Sequence, residues 1–217
     1  MSPRAEELVR LIRRDVSGVQ PRPMKQLFDH AKAFQDLGIK DLSELLHEVL
    51  YELRMAAICV MDFQSRSAKT SSERLKELYD LYLSRHDRID TWDMVDRAAP
   101  HVVGKHLFDK SREPLYELAR SGTDFEKRTS IVSTWYFIKN GQTEDTFAIA
   151  DILVQDQSDV VALAVGSWVR EAGKRDSDRL LAFLDKHATV MHRGSLRAAI
   201  EKLPNPMRQH YLSLKST

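Results

Sequence analysis

The amino-acid sequence predicts an all-α fold built from repeated helix pairs. Gly and Pro are sparse, 8 and 7 in 217 residues, and they separate segments whose apolar side chains recur with the helical period. Strand-like alternation of apolar and polar residues is nearly absent. A two-residue pattern, usually a small residue followed by a branched apolar one, also recurs every 34 to 37 residues: Ala57-Ile58, Met94-Val95, Ser130-Ile131, Ala164-Val165 and Ala199-Ile200. Such a period is typical of arrays of helical hairpins, so we expect a curved α-solenoid.

The individual helices follow from the same signals. Boundaries are expected at Gly18, Pro21–Pro23, Gly38, Gly122, Gly141, Gly173, Gly194, Pro204 and Pro206. Between them, the helix-period segments are Leu42–Phe63, Ser72–Ser84, Asp124–Lys139, Thr143–Leu153, Val160–Ala172 and Gly194–Lys202. Residues suited to cap helix N-termini precede four of these segments or open them: Asp41, Thr123, Thr143 and Ser158.

The composition is that of a globular protein, with 42% hydrophobic and 30% charged residues. We expect one domain over residues 1–217. Apolar runs such as Ala56–Met61 are too short to span a membrane, and the N-terminus lacks the pattern of a signal peptide. The chain has a single cysteine, Cys59, so an intrachain disulfide is excluded. Cys59 lies in an apolar run and is expected to pack as a small hydrophobic residue. These features predict a cytoplasmic protein with no membrane partner.

Charge is unevenly distributed although the net charge is only +1. Residues 140–159 contain five acidic residues and no Lys or Arg, whereas residues 160–217 contain ten Lys or Arg against five Asp or Glu. We expect Thr143–Leu153 to be an outer, acidic helix and Val160–Ala172 an inner helix that leads to Lys174 and Arg175. A basic concave wall would suit an extended polyanion. Scattered solvated charges are the alternative interpretation.

Residues 91–104 carry the strongest functional signal. Trp92 and Asp96 are four residues apart, so they share one face if the segment is helical, and Pro100 is expected to end or kink that helix. An aromatic ring beside a carboxylate suits a substrate that develops positive charge. A core tryptophan and a solvated aspartate are the alternative.

The chain resembles the AlkD-type DNA alkylation repair proteins, which are alkylpurine DNA glycosylases built of HEAT-like repeats. The resemblance extends from about Pro23 to Tyr211. Its landmarks, in order, are Leu37-Gly38-Ile39, Arg54-Met-Ala-Ala-Ile58, Trp92-Asp93-Met-Val-Asp96, Phe125-Glu-Lys-Arg128 and Val165-Gly166-Ser-Trp-Val-Arg-Glu171. It implies a curved solenoid of HEAT-like hairpins in which Trp92, Asp96 and Arg128 line a concave basic groove.

The resemblance also implies a second groove tryptophan, and here the sequence departs from the family pattern. The spacing from Arg128 to Arg170 is that of the family, so Ser167 stands at the tryptophan position and Trp168 follows it. Ala162-Leu163 stand where the family has a basic residue. We expect Trp168 to be mostly buried between helices and Ser167 to face the groove; the alternative is a register shift that brings Trp168 into the groove. Ser167, Trp168, Arg170, Lys174 and Arg175 are therefore the further candidates for DNA contact.

The activity implied by the resemblance is hydrolysis of the N-glycosidic bond of N3- or N7-alkylated purines in double-stranded DNA. Asp96 would stabilise an oxocarbenium-like sugar and direct a water, Trp92 would lie against the cationic nucleotide, and Arg128 would hold a phosphate. The motif contains no lysine for a lyase step, so a monofunctional glycosylase is expected. The scattered histidines lack the spacing of a helical metal site, and we expect no metal, no cofactor and a monomer.

Two other functions remain open at this point. One is a catalytically weak or inactive relative that binds bent or branched DNA through the same basic groove. The other is a protein–protein scaffold, which helical arrays often are.

Overall fold

The computed structural model describes residues 1–16 and 24–214, and every regular element in these residues is helical. The all-α prediction is confirmed. The boundaries predicted at Gly18 and Pro21–Pro23 lie outside the described residues. Contacts divide the chain into two compact units, Met1–His106 and Leu107–Thr217.

In the first unit, the helices are α1 (Pro3–Val16), α2 (Met24–Ala33), α3 (Ile39–His47), α4 (Tyr51–Arg66), α5 (Ser72–Ser84) and α6 (Trp92–Ala99). A 3₁₀ turn, His86–Arg88, precedes α6, and a π-helical turn, Pro100–Gly104, follows it. The short α7 (Lys105–Leu107) continues from that turn across the boundary of the two units.

Helix α4 is the centre of the first unit. It contacts α1, α2, α3, α5 and α6, and its residues from Leu53 to Asp62 are all buried. A helix that is apolar around its whole circumference is stable only when other elements surround it. The sequence of α4, rich in Ala, Met, Ile and Val, therefore explains why the other helices pack around it.

The second unit consists of α8 (Glu113–Ser121), α9 (Asp124–Ser133), α10 (Trp135–Lys139), α11 (Glu144–Leu153), α12 (Asp159–Gly173), α13 (Ser177–His187), α14 (Arg193–Ala199) and α15 (Asn205–Ser213). Its main helices form two rows. Helices α8, α11 and α13 contact one another in sequence order, and so do α9, α12 and α14. Contacts of α8 with α9 and of α11 with α12 join the rows.

The recurring residue pairs of the sequence lie at the packed faces of these helices. Ala57-Ile58 in α4 and Met94-Val95 in α6 are fully buried, and these two helices are in contact. In the second unit, Ser130-Ile131, Ala164-Val165 and Ala199-Ile200 are at most 1% exposed and follow the row α9, α12 and α14. The period in the sequence therefore marks helices that are neighbours within each unit.

The predicted helix Leu42–Phe63 is wrong, because α3 and α4 are separate helices. The first helix begins at Ile39, and Glu48 and Leu50 have extended backbone angles. Asp41 is therefore not the expected N-cap but lies inside α3, where its carboxylate accepts hydrogen bonds from the Ser2 backbone nitrogen and hydroxyl, both at 2.7 Å.

The predicted helix Asp124–Lys139 is also two helices, α9 and α10, with a break at Thr134. Three buried hydroxyls bond back to carbonyls of their own helix: Ser130 to Lys127, Ser133 to Thr129 and Thr134 to Ile131, at 2.6–2.7 Å. Such bonds compete with the backbone ladder and bend helices. The run of Ser and Thr in this segment is the sequence signal for the break.

Most other helix boundaries lie within a residue of those predicted, but α14 ends at Ala199, three residues before the predicted Lys202. Helix α5 has the predicted bounds, and Thr123 caps α9 in a reciprocal pair of hydrogen bonds with Glu126. Thr143 and Ser158 occupy the predicted N-cap positions, although their side chains make no capping hydrogen bond.

The acids of segment 140–159 have partners within the second unit. Each of its acids lies beside a cation or a histidine from another part of that unit: Glu144 beside Arg179, Asp145 beside Arg112, Asp151 beside Lys186 and His187, Asp156 beside Lys127, and Asp159 beside His192. The uneven charge of the sequence is therefore used largely for pairing between helices. In the part of the chain that the structure describes, no helix has the length and apolar character needed to cross a membrane.

Gly166 allows α12 and α14 to approach closely. A Cβ at this position would lie 2.8 Å from the Cα of Ser195 and closer still to the Ser195 carbonyl oxygen. Both atoms belong to the backbone of α14, which cannot yield as a flexible side chain can.

We expect Gly166→Ala to lower the free energy of unfolding by about 1–3 kcal/mol, the usual cost of overpacking. Gly38→Ala is the matched control, because a Cβ there meets no atom within 4 Å; as an N-cap substitution it costs about 1 kcal/mol or less. Urea denaturation of both variants measures the difference. Equal unfolding free energies for the two would contradict the close approach of α12 to α14.

Candidate functional site

Trp92 and Asp96 lie one turn apart on α6, as the spacing predicts. Trp92 is the first residue of the helix and is 58% exposed, which is unusual for the largest apolar side chain. Asp96 is half-buried. The inner face of α6, made of Met94, Val95, Ala98 and Ala99, is fully buried. Trp92 and Asp96 therefore lie outside the buried inner face of α6.

Hydrogen bonds from α4 fix the start of α6. The Tyr51 hydroxyl donates to the Asp93 carboxylate, which also accepts from the Thr91 hydroxyl at 2.5 Å and from the Met94 backbone nitrogen at 3.0 Å. Burial, and then the bond to Asp93, raises the pKa of the Tyr51 hydroxyl, so this residue stays a hydrogen-bond donor at neutral pH.

A second tie connects α4 with the residues just before α6. Arg54, which is 7% exposed, donates from Nη2 to both carboxylate oxygens of Asp90 at 2.9 and 3.1 Å. The other terminal nitrogen, Nη1, donates to the Val49 carbonyl, so the planar guanidinium is held in a fixed orientation. Trp92 is therefore held between two anchored aspartates, Asp90 and Asp93.

Arg97, the residue after Asp96, anchors α6 to α4. The Arg97 guanidinium lies 3.1 Å from the fully buried Asp62 and 4.8 Å from the ring centroids of both Phe28 and Phe63. Arg66 also pairs with Asp62, at 2.8 Å. A buried carboxylate needs such partners, and the pair with Arg97 ties α6 to α4, whereas Arg66 belongs to α4 itself.

Pro100 ends α6, as predicted, and the chain continues in the π-helical turn Pro100–Gly104. Cys59 is fully buried in α4, as predicted, and burial raises the pKa of its thiol to about 12. The thiol is therefore protonated and unreactive at neutral pH.

Tyr51, Arg54 and Asp62 were not among the site candidates predicted from sequence. Two of them carried a signal, since Arg54 and Asp62 are charged residues that flank the apolar core of α4. A charge inside a helix of that composition indicates a buried pair. The partners themselves, Asp90 and Arg97, are remote in sequence and gave no such signal.

Arg128 lies in the second unit and is largely enclosed. It is 7% exposed, and its Nη1 donates to the Val160 carbonyl at the start of α12, at 2.6 Å. This guanidinium therefore joins α9 to α12.

Trp168 is half-buried, and its indole nitrogen donates to the Val132 carbonyl at 3.1 Å. Val132 lies in the last turn of α9, just before the break at Thr134, where carbonyls lose their helical partners. The indole thus packs towards α9. Ser167 is half-buried and stands four residues after Leu163, which is 47% exposed. Residues at this spacing lie on the same side of a helix.

The other basic candidates differ in their surroundings. Arg170 pairs with Glu201 and lies 3.4 Å from Glu171, and Lys174 pairs with Glu171 at 2.7 Å. Arg175 is exposed. Both Arg170 and Lys174 are thus partly neutralised within the second unit.

The model of the family described as DNA alkylation repair enzyme matches residues 3–203, nearly the whole chain. A comparison with curated proteins gives no match. The extent of the family match shows that the chain belongs to the DNA alkylation repair enzymes.

Proposed function

We propose that the chain is a monofunctional DNA glycosylase that hydrolyses the N-glycosidic bond of N3- or N7-alkylated purines in duplex DNA. The observation that carries this proposal is the exposed Trp92 one turn before Asp96, on a helix start that α4 holds rigidly. Membership of the DNA alkylation repair enzymes supports a DNA substrate.

The proposed mechanism needs no general acid, because an N3- or N7-alkylated purine is already cationic and leaves readily. The barrier then depends on stabilising the positive charge that develops on the sugar and on directing a water to its anomeric carbon. Asp96 supplies the carboxylate for both roles. Trp92 offers an aromatic face to the cationic nucleotide, an interaction worth about 0.5–2 kcal/mol.

The proposal includes both units acting on the same duplex as one HEAT-like domain. Two rows of helices in the second unit, with the periodic residue pairs along one of them, support a hairpin array. Arg128, Ser167, Trp168, Arg170, Lys174 and Arg175 are the proposed DNA contacts of this unit.

A weakly active or inactive DNA-binding relative is the second candidate function. Three observations favour it: Ser167 stands where the family has a tryptophan, Arg128 is almost enclosed, and Arg170 and Lys174 have acidic partners. Release of 7-methylguanine from methylated duplex DNA separates the two candidates. A protein with no affinity for DNA even at low salt would contradict both, and would favour a protein–protein scaffold.

Asp96→Asn is expected to lower the release of 7-methylguanine by about a hundredfold, because it removes a fixed negative charge opposite the developing cation. DNA binding should change little, since the amide keeps the shape of the carboxylate. Single-turnover release and equilibrium binding measure the two effects. An unchanged release rate, with an active wild type, would exclude Asp96 as the catalytic carboxylate.

Arg128→Ala is expected to weaken binding to duplex DNA and to reduce the slope of log K against log salt by about one unit if the guanidinium holds a phosphate. The change also removes the bond to Val160, so stability should fall by about 1 kcal/mol. Arg120→Ala is the control, because Arg120 is exposed on α8 of the same unit, where it pairs with Glu113 and lies 5.7 Å from the centroid of the Tyr116 ring. A loss of stability with an unchanged salt slope would assign Arg128 a structural role alone.

Ser167→Trp is expected to raise 7-methylguanine release by up to about 30-fold, because it restores a second aromatic face for the cation. Trp168→Phe is the companion variant. It removes the bond to Val132 and should cost about 1 kcal/mol of stability while leaving release unchanged. A large loss of DNA binding in Ser167→Trp, or a large loss of release in Trp168→Phe, would show that Trp168 is the DNA-facing residue.

A further inference from the structure

The α3–α4 corner, residues 48–50, presents an exposed apolar side chain. Val49 is 89% exposed, the highest value among the large hydrophobic residues that the structure describes as exposed. An exposed β-branched side chain buries little apolar surface within the fold, so Val49 is available for contact with another molecule.

The backbone of this corner is held in place, so the exposure of Val49 does not come from a loose loop. Arg54 Nη1 donates to the Val49 carbonyl at 2.8 Å, and Arg88 donates to the Glu48 carbonyl at 3.0 Å and the Leu46 carbonyl at 3.1 Å. These bonds satisfy carbonyls that the end of α3 leaves unpaired. Val49 is thus presented from an anchored backbone.

The same anchoring groups join the corner to Trp92. Arg54 holds the Val49 carbonyl through Nη1 and Asp90 through Nη2, and Tyr51, two residues after Val49, holds Asp93. Asp90 and Asp93 flank Trp92. The exposed Val49 therefore lies close to the start of α6, the helix that carries the exposed Trp92.

Three acids near Val49 have cationic partners, whereas Asp93 accepts hydrogen bonds from hydroxyls and a backbone nitrogen. Glu48 pairs with Arg13 at 3.0 Å, Asp87 with Arg85 at 3.1 Å, and Asp90 with Arg54. A polyanion that approaches Trp92 would meet paired carboxylates around Val49, together with the cations that pair with them.

We propose that Val49 is a second DNA-contacting residue, which lies against the sugar and base edges of the duplex beside Trp92. Apolar side chains are the groups that proteins press into the minor groove in this way. The proposal rests on the proposed function, because it takes duplex DNA as the ligand. The closeness of Val49 to the helix start that carries Trp92, in a chain that belongs to the DNA alkylation repair enzymes, favours DNA over a protein partner.

The first test compares Val49→Asp with Ser72→Asp by equilibrium binding to an undamaged duplex, so it does not depend on catalysis. Ser72 is exposed at the start of α5, beside the far end of α4, a helix of 16 residues and about 24 Å. Val49→Asp should weaken binding by about tenfold, since it places a carboxylate against the phosphates, and Ser72→Asp by less than about twofold. Val49→Ala should weaken binding slightly with an unchanged salt slope, because no phosphate contact is lost.

A second test uses thiol protection. Val49→Cys and Ser72→Cys each add one reactive thiol, because Cys59 is buried and protonated. With saturating duplex, the thiol at position 49 should react with a maleimide at least about tenfold more slowly, since interface side chains are shielded from solvent. The thiol at position 72 should react at its original rate.

Unprotected thiol at position 49, in a protein that still binds duplex, would overturn this proposal and leave the proposed function intact. Equal protection at both positions, or equal binding losses for the two aspartate variants, would overturn it as well. A protein that binds no duplex at low salt would overturn both proposals.

Discussion

The position of the candidate site depends on the Arg54 guanidinium. The guanidinium lies beside residues 48–50, which separate α3 from α4. It donates hydrogen bonds to the Glu48 and Val49 carbonyls and to the carboxylate of Asp90, which precedes α6. One side chain thus satisfies carbonyls that follow α3 and also positions the residues just before α6. A lysine would supply the positive charge without the planar guanidinium, so it could not bind the carbonyls and the Asp90 carboxylate at the same time.

The sequence was most informative where local chemistry decides the structure. The Thr123 and Glu126 pair marks the start of α9, and the bounds of α5 follow from its flanking residues. It failed where a helix-period pattern runs through a break. At residues 48–50, the break is stabilised by Arg54 and Arg88, the second of which is about forty residues away, so the periodicity of α3 and α4 could not reveal it.

Part of the candidate site could likewise be predicted from local sequence, and part of it could not. The shared face of Trp92 and Asp96 was predictable from a spacing of four and a following proline. The groups that make this face rigid, Tyr51, Arg54 and Asp62, act through partners remote in sequence. Charged residues beside the apolar core of a helix indicate a buried ion pair, but they do not identify the partner residue. The role of Arg128 was equally hidden, since the sequence indicates a cation and only the fold shows that it is enclosed against α12.

The burial of Cys59 determines how the protein would react with electrophiles. Agents that alkylate purines are electrophiles, and in proteins the thiolate is the strongest nucleophile they meet. The chain has one thiol, which is inaccessible and stays protonated because burial raises its pKa to about 12. The central helix that supports Trp92 and Asp96 is therefore insensitive, at its only cysteine, to the class of reagent that creates damaged bases.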